Sequence, residues 1–136
     1  MLKKIVGAFL ALGLVAACAS APPPPPPVKQ FIVFFDFDRS NITANAAATI
    51  SQAATAAKAG QNTRVAVTGH TDTAGAANYN MALSLRRANA VKDQLVREGV
   101  NANAIAISGK GESALLVQTK DGVKEPQNRR VEIVLN

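Results

Sequence analysis

The sequence predicts an α/β (α+β) sandwich in which a mixed sheet packs on helices lying on one face, in the chain order βαβαβ-β. Three observations predict it. Val65 and Val67 alternate with Arg64, Ala66 and Thr68, and residues 130–135 alternate charged with apolar side chains, so both runs have the period of a strand. Tyr79, Leu83, Val91 and Leu95 fall four or eight residues apart, which puts them on one side of a helix. Strand-like and helix-like runs then succeed one another with short polar joins, the pattern of one layered domain.

The chain opens with Lys3 and Lys4, an apolar run from Ile5 to Ala16 too short for an ordinary membrane span, and small residues. Residues 1–17 read together as a secretory leader. Val15-Ala16-Ala17-Cys18 resembles the lipobox of bacterial lipoproteins, in which the cysteine is acylated and becomes the first residue of the mature chain. Cys18 is the only cysteine, so the chain cannot form an internal disulfide and lipidation gives the thiol its role. Ala19 stands where many inner-membrane lipoproteins have Asp, and by resemblance to sorting in enteric bacteria this implies the outer membrane, with the rest of the chain facing the periplasm. Six consecutive prolines, residues 22–27, fix φ and form a polyproline II rod of roughly 20 Å at about 3.1 Å per residue. Residues 18–29 are therefore read as a lipidated, proline-rich tether and residues 30–136 as the folded domain.

Residues 30–37 are dense in β-branched and aromatic side chains and read as the first strand, covered on both faces for part of its length. Residues 38–41 break it. Ser40, Asn41 and Thr43 are each suitable caps for an alanine-rich helix that runs to about Lys58 and stops at Gly60. That helix has few large side chains, so it must pack closely on the sheet through Ile50 and its alanines. The strand at 64–68 leads into a polar, Gly-bounded turn holding His70 and Asp72; a second helix from about Asn78 to Glu98 then stops at Gly99. Residues 104–108 form the next strand. Gly109-Lys110-Gly111-Glu112 superficially suggests a phosphate loop but lacks the Walker spacing. Residues 115–117 read as a short strand or an edge, 120–127 as a polar loop holding Pro126, and 130–135 as the last strand.

A net charge of +6 falls to +4 once Lys3 and Lys4 are set aside, and the basic residues form no stripe interleaved with aromatics, so nucleic acid is not the expected partner. Catalysis is disfavoured as well. The only histidine, His70, has no cysteine partner, one His beside one Asp is thin for zinc, and no serine stands in a Gly-x-Ser-x-Gly elbow or a Ser-x-x-Lys motif. Neither a metal nor a cofactor is expected. Arg87 is the residue that asks for an explanation, because it sits in the middle of the second helix's apolar line. A guanidinium keeps its charge and is costly to bury unpaired. Its anion is either internal, such as Asp72, or the carboxylate of a ligand.

Phe35-Asp36-Phe37-Asp38, Gly69-His70-Thr71-Asp72 with Gly75, Tyr79-Asn80, Leu83-Ser84, Arg87-Ala88, Gly109 with Gly111-Glu112, and Asn128-Arg129-Arg130-Val131-Glu132 follow one another in the order and spacing of a known family. From about Phe31 to Val134 the chain resembles the OmpA-like peptidoglycan-binding domain, and with its lipobox the whole chain resembles the peptidoglycan-associated lipoproteins. The resemblance implies a pocket, between the loop after the first strand, the 69–72 loop and the second helix, that holds the peptide stem of peptidoglycan through meso-diaminopimelate. Carried over by position, Asp72 accepts from the ligand's ammonium group and Arg87 grips a carboxylate with its two-pronged donor set. Asp38, Phe37 and Leu83 line the pocket and Asn80 braces the loop. His70 is hydrogen-bonded within its own loop, and Asn128 and Arg129 are structural.

For the whole chain, the resemblance implies an outer membrane lipoprotein, anchored through Cys18, that binds peptidoglycan non-covalently, tethers the outer membrane to the wall and so serves cell envelope integrity. The alternative it implies is an envelope interaction protein whose main partner is a periplasmic protein such as TolB of the Tol-Pal system, which acts in cell division. Two departures from the family's pattern stand out. Ala114-Leu115 lies where members often have Pro, and the run from Gly122 to Gln127 is longer and lacks an arginine. Both are expected to lie outside the pocket.

Overall fold

In the computed structural model, which describes Gly13, residues 20–23 and residues 29–136, the chain runs β1 (Lys29–Phe34), α1 (Ala44–Ala59), β2 (Val65–Gly69), α2 (Ala77–Arg97), β3 (Ile105–Gly109) and β4 (Arg130–Leu135). Apart from Gly13, the expected leader lies outside the described residues, as do Cys18 and residues 24–27 of the proline run. The four strands make one mixed sheet in the order β1-β4-β2-β3. β4 runs antiparallel to both its neighbours, and β2 pairs in parallel with β3. The last strand in sequence thus inserts between the first two, and the predicted α/β sandwich is the observed fold.

The register explains how the core forms. Val33, Val131 and Gly69 fall in one row across the sheet, Phe31, Ile133, Val67 and Ile107 in the next, and Leu135, Val65 and Ile105 in the third. These rows face the helices. α1 buries Ala46, Ile50, Ala53, Ala54 and Ala57 against them, so small side chains let the helix lie close to the sheet, as its composition predicts. Its start is fixed by Thr43, whose Oγ1 accepts from the Ala46 amide at 3.2 Å. α2 ends where Gly99 takes φ +98°, a conformation open to glycine at little cost. Its approach to the sheet is tightest at Gly69, where a Cβ would stand 1.9 Å from the Ser84 carbonyl oxygen.

Two elements differ from expectation. β1 is an edge strand that ends at Phe34, not Phe37, and Phe34 itself is exposed on the side away from the helices. The Phe35 amide still donates to the Arg129 carbonyl at 2.9 Å, but the next carbonyls are drawn elsewhere: that of Phe35 accepts from Arg129 Nε at 3.1 Å and that of Asp36 from Arg87 Nη2 at 3.1 Å. Residues 115–117 form no strand. The buried Asn128 side chain serves that segment instead of a ladder, its Oδ1 accepting from the amides of Leu116 and Val117 and its Nδ2 donating to the Val117 carbonyl at 2.8 Å.

Candidate functional site

β1 and β2 finish, and β4 begins, at the same end of the sheet, so the loops at 35–39 and 69–76 and the segment before β4 converge there beside the first turns of α2. A cavity of about 350 Å³ opens between them. Phe37, Asp38, Asp72, Asn80, Leu83 and Arg87, all six residues singled out in the sequence, line it, together with Tyr79, Arg129 and the turn Ala74, Gly75 and Ala76. A wider groove of about 550 Å³ follows β1 and the start of α1, but Asp36 and Arg129 are its only charged residues.

Arg87 is fully buried, at 0% exposure. Its Nε donates to the Arg39 carbonyl at 2.9 Å, Nη1 to the His70 carbonyl at 2.9 Å and Nη2 to the Asp36 carbonyl at 3.1 Å. A guanidinium has five N–H donors, so two remain. Burial pulls its pKa down to about 10, with the Asp72 charge opposing that fall and Arg129 adding to it, and Arg87 is still a cation at neutral pH. No carboxylate pairs with it among the described residues.

The internal anion offered by the sequence, Asp72, is taken by another arginine. Its Oδ2 lies 3.3 Å from Arg129 Nη1 and accepts from the Glu125 amide at 3.2 Å, while Oδ1 accepts from the Ala74 amide at 3.2 Å. Arg129, read from the sequence as structural, thus braces Asp72 and also forms part of the cavity wall, where the sequence reading had not put it. The missed signal was charge balance, because Asp38 and Asp72 together face only one cation if Arg87 is counted alone.

The other residues divide between bracing and lining. Asn80 Nδ2 donates to the Ala74 carbonyl at 3.0 Å and fixes the turn, as expected of it. Leu83 forms an apolar floor. Asp38 takes φ +55°, tolerable for Asp, and accepts a hydrogen bond from the Tyr79 hydroxyl. Tyr79, placed on the core line by periodicity, is instead 46% exposed at the cavity's rim.

His70 is buried, yet among the described residues neither ring nitrogen has a hydrogen-bond partner. The expected hydrogen bond within its loop is absent because the ring faces a different pair of charges. Nε2 stands 3.7 Å from Glu132 Oε2, and Arg130 reaches the other oxygen of that carboxylate at 3.0 Å. Burial, reinforced by the Arg130 and Lys110 charges against the opposing pull of Glu132 and the Ala114 backbone, lowers the His70 pKa from 6.5.

The long run after Gly122 contributes no residue to the cavity lining, as expected, but it is fastened to the loop that does. The Val123 amide donates to Thr73 Oγ1 at 3.0 Å, the Gly122 amide to the Thr73 carbonyl at 2.9 Å, and the Glu125 amide to Asp72. The Lys124 ammonium sits 4.2 Å from the centroid of the Phe37 ring. Among the described residues, no helix is long and apolar enough to cross a membrane and no group of His, Cys, Asp and Glu could hold a metal ion.

The OmpA family model matches residues 34–129. An outer membrane protein of Gluconacetobacter diazotrophicus is 47% identical over 114 residues, which are 79% of this chain and 30% of that protein. The peptidoglycan-associated lipoprotein of Rhizobium meliloti is 36% identical over 103 residues, 76% of this chain and 58% of its own length. The chain thus spans between about a third and three fifths of these relatives. The crystal structure of the peptidoglycan-associated lipoprotein from Burkholderia pseudomallei superposes with a TM-score of 0.72 at 29% identity, covering 78% of this chain and 90% of that one.

Proposed function

The chain belongs to the OmpA family, and from that premise we propose that it binds the peptide stem of peptidoglycan through the zwitterionic end of meso-diaminopimelate. Anchored in the outer membrane by acyl chains on Cys18, it tethers that membrane to the wall. The observation that carries the reading is Arg87, a fully buried cation with two N–H donors left over and no carboxylate partner among the described residues. A ligand carboxylate supplies the missing anion, and a guanidinium takes it in two-pronged fashion. With Asp72 already neutralised by Arg129, Asp38 is the second uncompensated charge of the cavity. A ligand ammonium fits between Asp38 and the lone pair that Asp72 still offers, so the cavity presents one site of each sign to a neutral zwitterion. The name of the Rhizobium relative, a peptidoglycan-associated lipoprotein, supports the same reading.

The test is calorimetric titration of the full-length protein in detergent with two stem peptides, one holding meso-diaminopimelate and one holding lysine in its place. The lysine stem keeps the ammonium and lacks the carboxylate. Wild type is expected to bind the first at least about 30-fold more tightly, the effect of leaving a buried charge unpaired, and Arg87→Ala to bind neither. Failure of folded wild type to bind the diaminopimelate stem would instead favour a periplasmic protein as the main partner.

A further inference from the structure

We propose that Lys124 is a second carboxylate-reading cation at this site, and that it selects stem peptides with a free carboxylate outside the zwitterionic end of meso-diaminopimelate. The inference rests on the stem-peptide reading and names which stems the site prefers. It begins with how Lys124 is held. The buried Thr73 hydroxyl donates to the Lys120 carbonyl at 2.6 Å and accepts from the Val123 amide, and the Glu125 amide is bonded to Asp72. Both chain neighbours of Lys124 are therefore fastened to the loop that lines the cavity. Its side chain is placed as well, because the ammonium stacks on Phe37, whose ring is part of the cavity wall.

Charge decides what such a cation is for. The cavity lining holds two carboxylates, Asp38 and Asp72, and two guanidiniums, Arg87 and Arg129, and is balanced. A zwitterion leaves that balance unchanged. Lys124 adds one positive charge at the rim and makes no ion pair among the described residues. A stem tripeptide carries two further carboxylates, the α-carboxylate of its γ-linked glutamyl residue and its C-terminal carboxylate. Both offer the same chemistry to a rim ammonium, and amidation removes either.

The experiment titrates the full-length protein in detergent with four forms of the diaminopimelate tripeptide: both outer carboxylates free, each amidated singly, and both amidated. At low salt, wild type is expected to bind the free form about threefold to fivefold more tightly than the double amide, the size of a rim ion pair. The single amide that loses the preference identifies the carboxylate read. Lys124→Gln should abolish the preference and leave affinity for the double amide unchanged, Lys124→Arg should retain it, and added salt should shrink it. An undiminished preference in Lys124→Gln, or an equal loss for all four peptides, overturns the role of Lys124 and leaves the pocket standing. Absence of binding by wild type to every form overturns the pocket reading and this inference together.

Discussion

The two helices lie on one face of one sheet and bury different chemistry. α1 hides Ala46, Ile50, Ala53, Ala54 and Ala57, every one an alkyl side chain. α2 hides only Ala88, Val91 and Leu95 in its second half, but Asn80, Ser84 and Arg87 beside Leu83 in its first. Alkyl groups gain from burial anywhere along the sheet, whereas an amide, a hydroxyl and a guanidinium must each meet fixed partners. Asn80 and Arg87 find theirs where the backbone has left the ladder, at the carbonyls of Asp36, Arg39, His70 and Ala74, while Ser84 donates to the Met81 carbonyl within α2 and accepts from the Gly111 amide. The helix that holds the fold together and the half-helix that holds the site are distinguished by what the loops can offer them.

Mutation can break that comparison. Arg87→Ala leaves the buried His70 carbonyl and the part-buried Arg39 carbonyl without a donor, at about 1–3 kcal/mol each, while the Asp36 carbonyl keeps the Arg39 amide, so urea unfolding should show a loss of at least about 2 kcal/mol together with loss of stem binding. Near wild-type stability in that variant would mean that the polar half of α2 is not held as described. Ile50→Ala should cost about 2–5 kcal/mol, the usual range for a large core truncation, yet leave stem affinity unchanged below the unfolding transition. If affinity falls with stability there, the two regions are not separable.

A pH series sharpens the contrast at His70, which lies between Arg130, Glu132 and Lys110. Its folded-state pKa is lowered, so the unfolded chain binds the proton more tightly. Stability is then complete above pH 6.5 and declines as pH falls from 6.5 toward the depressed value. Urea midpoints for wild type and His70→Phe should diverge in that window and run parallel above it. The smallest effect belongs to the alkyl helix: Thr43→Ala removes its cap for about 1 kcal/mol and should not touch the site.

Much of this was legible in the sequence because it is local. Helix starts and stops, the alternation of β2, β3 and β4, and the tight packing of an alanine-rich helix follow from neighbours within a few residues, and those boundaries fall within one or two residues of expectation. The end of β1 was not legible, since Phe35-Asp36-Phe37 keeps a strand's composition while Arg87 and Arg129, far along the chain, take its carbonyls. The same holds for the site. Its six residues could be named from the spacing of a family pattern, but the pairing of Asp72 with Arg129 instead of Arg87 depends on β4 inserting beside β2. Tyr79 shows a further limit of periodicity, because the first turn of a helix can share the core's phase and still project past the sheet's end.

The position of β1 has a mechanical consequence. The strand begins at Lys29, opposite Leu135 at the pole remote from the cavity, and ends at Phe34, four residues before Asp38 in the cavity wall. Tension on the chain ahead of Lys29, with ligand held in the cavity, runs along the strand axis over about 20 Å and loads the β1–β4 ladder in shear. Rungs pulled in shear share the force and yield together, whereas rungs peeled from one end break in turn. Single-molecule pulling along β1 is therefore expected to need more force than pulling β1 crosswise from β4, and the edge of the sheet acts as a short cable strung between two poles.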